Sequence, residues 1–211
     1  GDAVGVALPV DDACELYIAH AVATVADEGI DLSGLKVALD AGHGASCMTS
    51  AEALRRLGAD VTVINDDYCG TDINVQCGST HLEPLRALVA ECGADVGIAH
   101  DGDADRVMLM DSEGNEIDGD VVEAVCAIDL KERGLLAGNT AVSTVMCNLG
   151  LAHALRDAGI ELVQMLQEGA GFFVQKTTAF TSLNDTYEGR RLNGFTQAHQ
   201  PARRRFMNHC P

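Results

Sequence analysis

Short apolar runs alternate with longer amphipathic stretches between residues 12 and 163, and this alternation is the main structural signal in the sequence. Helical spacing of apolar residues, with a glycine near the end of most stretches, predicts helices at residues 12–27, about 50–57, about 80–92, 118–133 and 148–158. The apolar runs between them predict strands at residues 35–40, 60–64, 94–99, 106–110, 140–145 and 160–163. Thr49 with Glu52, and Thr80 with Glu83, have the spacing of capping boxes at two of the helix starts.

Strands that alternate with helices are typical of βαβ units, so we expect an α/β fold with mixed, mostly parallel sheets. Strands that read as short, wholly apolar runs indicate that helices cover both faces of each sheet. A hairpin turn at residues 111–115 is a plausible boundary between two such units. We therefore expect one domain at residues 11–110, a second and partial one at 111–164, and a different segment at 165–211.

Residues 165–211 differ from the rest of the chain in charge and composition. They hold 3 acidic and 6 basic residues and all five phenylalanines, whereas the whole chain has 32 acidic against 14 basic residues. Three interpretations stay open for this segment. It is a basic tail that recruits an acidic partner, a poorly structured extension, or a stretch that is not the native continuation.

The formal net charge of −18 argues against nucleic acid or an anionic membrane as the main partner, since both attract clustered lysine and arginine. No apolar run approaches the ~18–20 residues that span a bilayer, and the N-terminus does not resemble a secretion signal. We therefore expect a cytoplasmic protein without a membrane segment. The eight cysteines contain no C-x-x-C pair and are expected to be reduced, mostly in the core. The chain lacks a starting methionine, so we expect it to be a piece of a longer one.

The strongest chemical signal is the run D-G-D-A-D-R at residues 101–106, directly after a predicted strand. Sites in open parallel sheets lie outside the carboxyl ends of the strands. Asp101, Asp103 and Asp105 would repel one another unless a cation offsets them, and such oxygen ligands favour Mg²⁺ or Ca²⁺. Arg106 is placed to hold a phosphate oxygen beside that metal.

Two alternatives to this metal site stay open. One is a solvated acidic turn, and the other is the manganese site of a nucleotide-sugar transferase that carries a D-x-D motif. An EF-hand is disfavoured because Arg106 and Ser112 occupy the loop positions that require glycine and glutamate. The sequence also contains no P-loop motif.

Three further features have weaker chemical interpretations. The G-x-G pattern of Gly42 and Gly44 is better explained by a tight strand-to-helix turn than by dinucleotide binding. His43 and His100 lie beside the candidate loops and are candidates for phosphate binding or proton transfer, although packing roles are commoner. The D-G-D run at residues 118–120 begins a predicted helix, where aspartate is favoured as a cap.

Residues 98–107 and 111–120 closely resemble the metal-binding region of α-D-phosphohexomutases. Residues 35–45 are similar to the first strand and loop of domain two in that family. The runs G-T-D-I-N at 70–74, C-G-S-T at 77–80 and T-V-M-C-N-L-G-L at 144–151 resemble the phosphoglucosamine mutase branch. The resemblance spans about residues 9–164.

The resemblance implies an enzyme of four domains around a cleft, in which a phosphoserine of domain one exchanges a phosphoryl group with a sugar phosphate through a bisphosphate. It implies that Asp101, Asp103 and Asp105 bind Mg²⁺ and that Arg106 helps to hold the phosphate. The phosphoserine is expected upstream of residue 1, so the resemblance assigns no catalytic nucleophile within these residues.

By this resemblance the chain corresponds to domain two and the start of domain three, without domains one and four, and is expected to be inactive alone. The full enzyme would interconvert glucosamine 6-phosphate and glucosamine 1-phosphate, and a homodimer is a further expectation. The alternatives are a phosphomannomutase or phosphoglucomutase fragment, or a non-catalytic metal-binding α/β module.

Overall fold

Helices and strands alternate along the computed structural model, which describes residues 9–26 and 29–165. Apart from Met165, the tail predicted at 165–211 lies outside the described residues. The helices are α1 (Ala13–Ala26), α2 (Ser50–Arg56), α3 (Glu83–Cys92), α4 (Gly119–Glu132) and α5 (Leu149–Asp157). The strands are β1 (Lys36–Asp40), β2 (Asp60–Ile64), β3 (Val96–His100), β4 (Val107–Asp111), β5 (Glu116–Ile117), β6 (Thr140–Thr144) and β7 (Glu161–Met165).

The chain divides into two compact units. Among the described residues, the first consists of residues 9–26, 29–107 and 112–114, and the second of residues 108–111 and 115–165. In the described part of each unit, strands pair in parallel, and the second unit adds an antiparallel pair between β4 and β5. The structure therefore confirms the predicted α/β class with mixed, mostly parallel sheets.

In the first unit, β1 is flanked by β2 on one side and β3 on the other. Val37 of β1 is in register with Val61 of β2 and with Val96 of β3. Val37 and Leu39 are almost fully buried because β1 is the central strand of the three. This packing fixes the three strand ends, which position the loops that follow them.

In the second unit, β6 pairs with β7, and Thr140 is in register with Glu161. Leu151 and Leu155 of α5 pack in one apolar cluster with Ala141 of β6. Both long helices of this unit start at a capping side chain. The Asp118 carboxylate accepts a hydrogen bond from the Val121 amide at 2.9 Å, and the Asn148 side chain caps α5 in the same way. The predicted structural role of Asp118 is therefore confirmed.

The two predicted capping boxes are wrong. The Thr49 side chain makes no capping hydrogen bond to α2. Helix α3 begins at Glu83 with Leu82 as its N-cap, because Pro84 fixes the first turn and residues 78–80 form a separate 3₁₀ turn.

The expectation that most cysteines lie in the core is also wrong. Among the seven that the structure describes, all are free thiols but only Cys77 and Cys126 are buried. Within the described ranges, no helix has both the length and the apolar character needed to cross a membrane.

Candidate metal centre

Three loops follow the strands of the first unit at one edge of its sheet, because β1, β2 and β3 are parallel and end together. We call them the β1 loop (residues 41–49), the β2 loop (residues 65–82) and the metal loop (residues 101–106). The Ala45 amide of the β1 loop donates to the Gly102 carbonyl of the metal loop at 2.9 Å. The edge is therefore a connected surface of three loops.

Asp40, the last residue of β1, ties the β1 loop to the β2 loop. Its side chain is fully buried. One carboxylate oxygen accepts hydrogen bonds from the Gly42 amide at 2.9 Å and from the Asn65 side chain at 3.0 Å. The other oxygen accepts from the Gly78 amide at 2.9 Å. The three donors satisfy this buried carboxylate, and each hydrogen bond is strengthened by the charge of the acceptor, so Asp40 holds the two loops firmly together.

In the metal loop, Asp101, Asp103 and Asp105 turn toward one point, and one carboxylate oxygen from each lies within 4.8 Å of the others. Asp101 is fully buried, whereas Asp103 and Asp105 are exposed. Ala104 adopts a left-handed backbone conformation with φ of +57°, and its amide donates to the Asp101 carbonyl at 3.1 Å. This tight turn brings alternate side chains to the same side of the loop.

Arg106 compensates part of the negative charge. Its Nε donates to one oxygen of Asp101 at 2.5 Å, and its backbone amide donates to the other oxygen at 3.1 Å. The same Nε lies 3.5 Å from an oxygen of Asp105. In this arrangement Arg106 pairs with the acidic loop itself, and its predicted contact with a phosphate is a proposal taken up below.

Arg106 does not neutralise the metal loop, which keeps an excess of negative charge. Desolvation, followed by the negative charges of Asp101 and Asp103, raises the pKa of the Asp105 carboxyl above its ordinary value. The opposing charge of Arg106 only reduces this shift. A divalent cation held by the three carboxylates would relieve the repulsion, and oxygen donors of this kind suit a hard cation. The residues present therefore fit a divalent metal ion.

A second group of metal-ligand types lies at the same edge. The Nδ1 atom of His43 is 2.7 Å from a carboxylate oxygen of Asp67 and 3.9 Å from one of Asp72. Burial lowers the pKa of His43, but the hydrogen bond to the Asp67 backbone and the charges of Asp72, Asp67 and Asp40 outweigh it, so the pKa is raised overall. The neighbouring carboxylates therefore favour the protonated imidazole, which would form an ion pair with them.

His100 lies at the end of β3, and burial dominates its electrostatic environment. Burial lowers its pKa, and the hydrogen bond to the Arg106 backbone and the charges of Asp101 and Asp40 offset this only in part. Its Nδ1 atom is buried and has no hydrogen-bond partner among the described residues. Burial therefore favours the neutral form of this imidazole, which is the form less suited to a phosphate contact.

The glycines of the β1 loop serve close packing. A Cβ atom on Gly44 would clash with the backbone of Gly102 in the metal loop. Gly42 has φ of +60°, and a Cβ there would lie 3.0 Å from the His100 carbonyl oxygen. The tight-turn interpretation of the G-x-G pattern agrees with this geometry.

Comparison with protein families agrees with these structural findings. Residues 15–114 match the family model described as phosphoglucomutase/phosphomannomutase, alpha/beta/alpha domain II. Residues 118–181 match alpha/beta/alpha domain III of the same family. The second match thus continues beyond the described residues.

Among curated proteins, the chain is 51% identical over 153 residues to a protein named phosphoglucosamine mutase from Symbiobacterium thermophilum, covering 72% of this chain and 33% of that protein. It is 43% identical over 198 residues to a protein of the same name from Rhodococcus jostii, covering 93% of this chain and 40% of that protein. The chain thus spans well under half the length of these relatives.

Among solved structures, a phosphoglucomutase/phosphomannomutase family protein from Burkholderia thailandensis is similar with a TM-score of 0.59 and 24% identity, over 73% of this chain and 33% of that chain. An N-acetylglucosamine-phosphate mutase in the apo form is similar with a TM-score of 0.57 and 16% identity, over 95% of this chain and 50% of that chain. These two structures show a shared fold. The two family matches, which together span most of residues 15–181, show that the chain belongs to the phosphoglucomutase/phosphomannomutase family.

Proposed function

We propose that this chain supplies the metal-binding domain of a phosphoglucosamine mutase, which interconverts glucosamine 6-phosphate and glucosamine 1-phosphate by Mg²⁺-dependent phosphoryl transfer through a phosphoserine. The observation that carries the proposal is the convergence of three carboxylates at the carboxyl end of β3, within 4.8 Å of one another. The name shared by relatives at 43–51% identity supports the choice of sugar.

In this proposal Asp101, Asp103 and Asp105 hold Mg²⁺. The ion would offset negative charge on the transferring phosphoryl group and fix its position. The buried Asp101 is oriented by two hydrogen bonds from Arg106, while the exposed Asp103 and Asp105 leave one side of the site open to a phosphate. The Arg106 side chain is 41% exposed, so its outer nitrogens can reach a phosphate oxygen without breaking the Nε contact to Asp101.

The proposal places the phosphoserine and the phosphate-binding domain outside this chain, which spans 33% of one relative and 40% of another. We therefore expect the 211-residue chain to show no mutase turnover in a coupled assay with glucosamine phosphates. Turnover by the chain alone would contradict the assignment of the nucleophile to another domain.

Metal binding provides a direct test of the site. Equilibrium dialysis of the full 211-residue chain should show one Mg²⁺ site that the double variant Asp103→Asn/Asp105→Asn lacks. Asp66→Asn serves as the matched control, because Asp66 is an exposed carboxylate in the neighbouring β2 loop. Equal binding by the double variant and the wild type would contradict the proposed ligands.

A chimera tests the catalytic part of the proposal. Residues 15–164 of this chain would replace the matching segment of the Symbiobacterium thermophilum protein, which is 51% identical. The chimera should convert glucosamine 6-phosphate, and the same chimera with Asp103→Asn and Asp105→Asn should not. A chimera that folds and binds Mg²⁺ but remains inactive would contradict the proposed function.

A further inference from the structure

The β2 loop sends one side chain into the junction of all three loops at the metal edge. This side chain belongs to Asn74, whose backbone amide donates to the Gly42 carbonyl of the β1 loop at 3.0 Å. Its backbone has φ of +61°, a left-handed conformation that asparagine tolerates better than most residues. Asn74 is therefore held in a defined place relative to the β1 loop.

Three glycines, one from each loop, leave the space that the Asn74 carboxamide occupies. A Cβ atom on Gly42 would lie 3.4 Å from Asn74 Oδ1, and one on Gly78 would lie 3.2 Å from the same atom. A Cβ atom on Gly102 would lie 3.2 Å from Asn74 Nδ2 and 2.5 Å from Cγ2 of the adjacent Ile73. The carboxamide thus lies between the β1 loop, the β2 loop and the metal loop.

Gly102 is the residue that links Asp101 to Asp103. Glycine is conformationally permissive, so the direction of the chain between these two ligands depends on what surrounds it. On one side the Gly102 carbonyl accepts the Ala45 amide at 2.9 Å. On the other side the Asn74 carboxamide lies against it.

The Asn74 carboxamide occupies this position beside Gly102 at an energetic cost. Its Oδ1 atom is buried and has no hydrogen-bond partner within the described ranges. A buried polar atom without a partner disfavours the folded state and calls for an explanation other than stability. Positioning of an adjacent binding loop is such an explanation.

We infer that Asn74 is a positioning residue for the metal loop: its carboxamide, lodged among Gly42, Gly78 and Gly102, holds Gly102 so that Asp101, Asp103 and Asp105 converge. The inference rests on the proposed function, because it takes the three aspartates as the metal ligands. Asn74 itself touches no metal in this account.

The test is Mn²⁺ binding to the full 211-residue chain, measured by electron paramagnetic resonance. Asn74→Gly retains a residue that accepts positive φ but removes the carboxamide, and should weaken Mn²⁺ affinity by about 10-fold or more, as loss of a supporting residue does at metal sites. Gln76→Gly is the matched control, since Gln76 is an exposed residue of the same loop with φ of +54°. The control should bind Mn²⁺ like the wild type.

Thermal unfolding of the metal-free variants separates positioning from general stability. Positioning predicts that Asn74→Gly lowers Mn²⁺ affinity while its Tm without metal stays near that of Gln76→Gly. If Asn74→Gly does not fold, Asn74→Ser replaces it, with the same expectation. Mn²⁺ affinity equal to that of the wild type in the folded variant overturns the role of Asn74 alone. Absence of Mn²⁺ binding to the wild type, or retention of binding in Asp103→Asn/Asp105→Asn, overturns the metal site and the inference with it.

Discussion

Two segments of this chain carry the same D-G-D pattern and do different things. The run at residues 101–103 follows β3 and belongs to a loop where three carboxylates converge within 4.8 Å. The run at residues 118–120 precedes α4, where Asp118 accepts the Val121 amide as a helix cap. The neighbouring element, and not the motif itself, therefore decides whether paired aspartates converge at the end of a strand or cap a helix.

The two runs should differ most in the free energy of unfolding that is lost when their first aspartate, Asp101 or Asp118, is replaced by alanine. Asp101→Ala should lower the free energy of unfolding by about 3 kcal/mol, because it removes the buried carboxylate that accepts hydrogen bonds from the backbone amide and the Nε atom of Arg106. Asp118→Ala should cost about 1 kcal/mol, as the loss of an exposed cap does. Denaturant unfolding followed by circular dichroism measures both changes. Equal losses of unfolding free energy would contradict the different structural roles of Asp101 and Asp118.

Metal-linked stabilisation is the next largest expected effect. A ligand that binds only the folded state at 100 times its Kd stabilises it by about 2.7 kcal/mol. Saturating Mg²⁺ should therefore raise the unfolding free energy of the wild type and of Asp118→Ala, but not of Asp103→Asn/Asp105→Asn. Stabilisation of the wild type and both variants by the same amount would show that the ion binds elsewhere.

Substitution of the central glycine by alanine should destabilise the first run but not the second. Gly102→Ala places a Cβ atom 2.5 Å from Ile73 Cγ2, and we expect the shift that follows to cost about 1–2 kcal/mol. Gly119→Ala lies at the first residue of α4, where alanine should leave stability unchanged or raise it by up to about 1 kcal/mol. A stabilising Gly102→Ala would show that the metal loop is not tightly packed.

The smallest expected effect is the pH dependence of the unfolding free energy that comes from His43, at the same edge of the first unit. The folded-state pKa of His43 is raised above its ordinary value of 6.5, so its pairing with Asp67 and Asp72 stabilises the fold fully below pH 6.5. That stabilisation is lost as pH rises through the folded-state pKa. Between about pH 6 and about pH 9, the unfolding free energy of the wild type should therefore fall more than that of His43→Gln. If the pH profiles of the wild type and His43→Gln run parallel, His43 is not the source of the pH-dependent stability.

Much of the fold was predictable because it depends on local pattern. The central β1 is a short apolar run that must be buried, and helices α3 and α4 are followed by Gly93 and Gly134, both with positive φ. The convergence of Asp101, Asp103 and Asp105 was also predictable from local pattern, since alternate aspartates follow a strand directly and small residues separate them.

The residues that sequence reasoning missed depend on partners far along the chain. Asp40 ends a strand like many aspartates, and its role appears only when the Asn65 side chain and the Gly78 amide, 25 and 38 residues away, meet its oxygens. Asn74 lies in the run G-T-D-I-N that carries the resemblance, but its place near the metal loop appears only when three glycines distant in sequence are seen around it. The Thr49 capping box failed because local spacing does not determine which side chains finally cap a helix in its tertiary setting.

The most direct test of the central claim is Mn²⁺-induced broadening of backbone amide signals in the 211-residue chain. The account predicts that substoichiometric Mn²⁺ broadens the signals of residues 101–106 first and most strongly, and that Asp103→Asn/Asp105→Asn abolishes this broadening. Broadening that begins at residues 118–120, or that survives in the double variant, would contradict a divalent cation site at the end of β3.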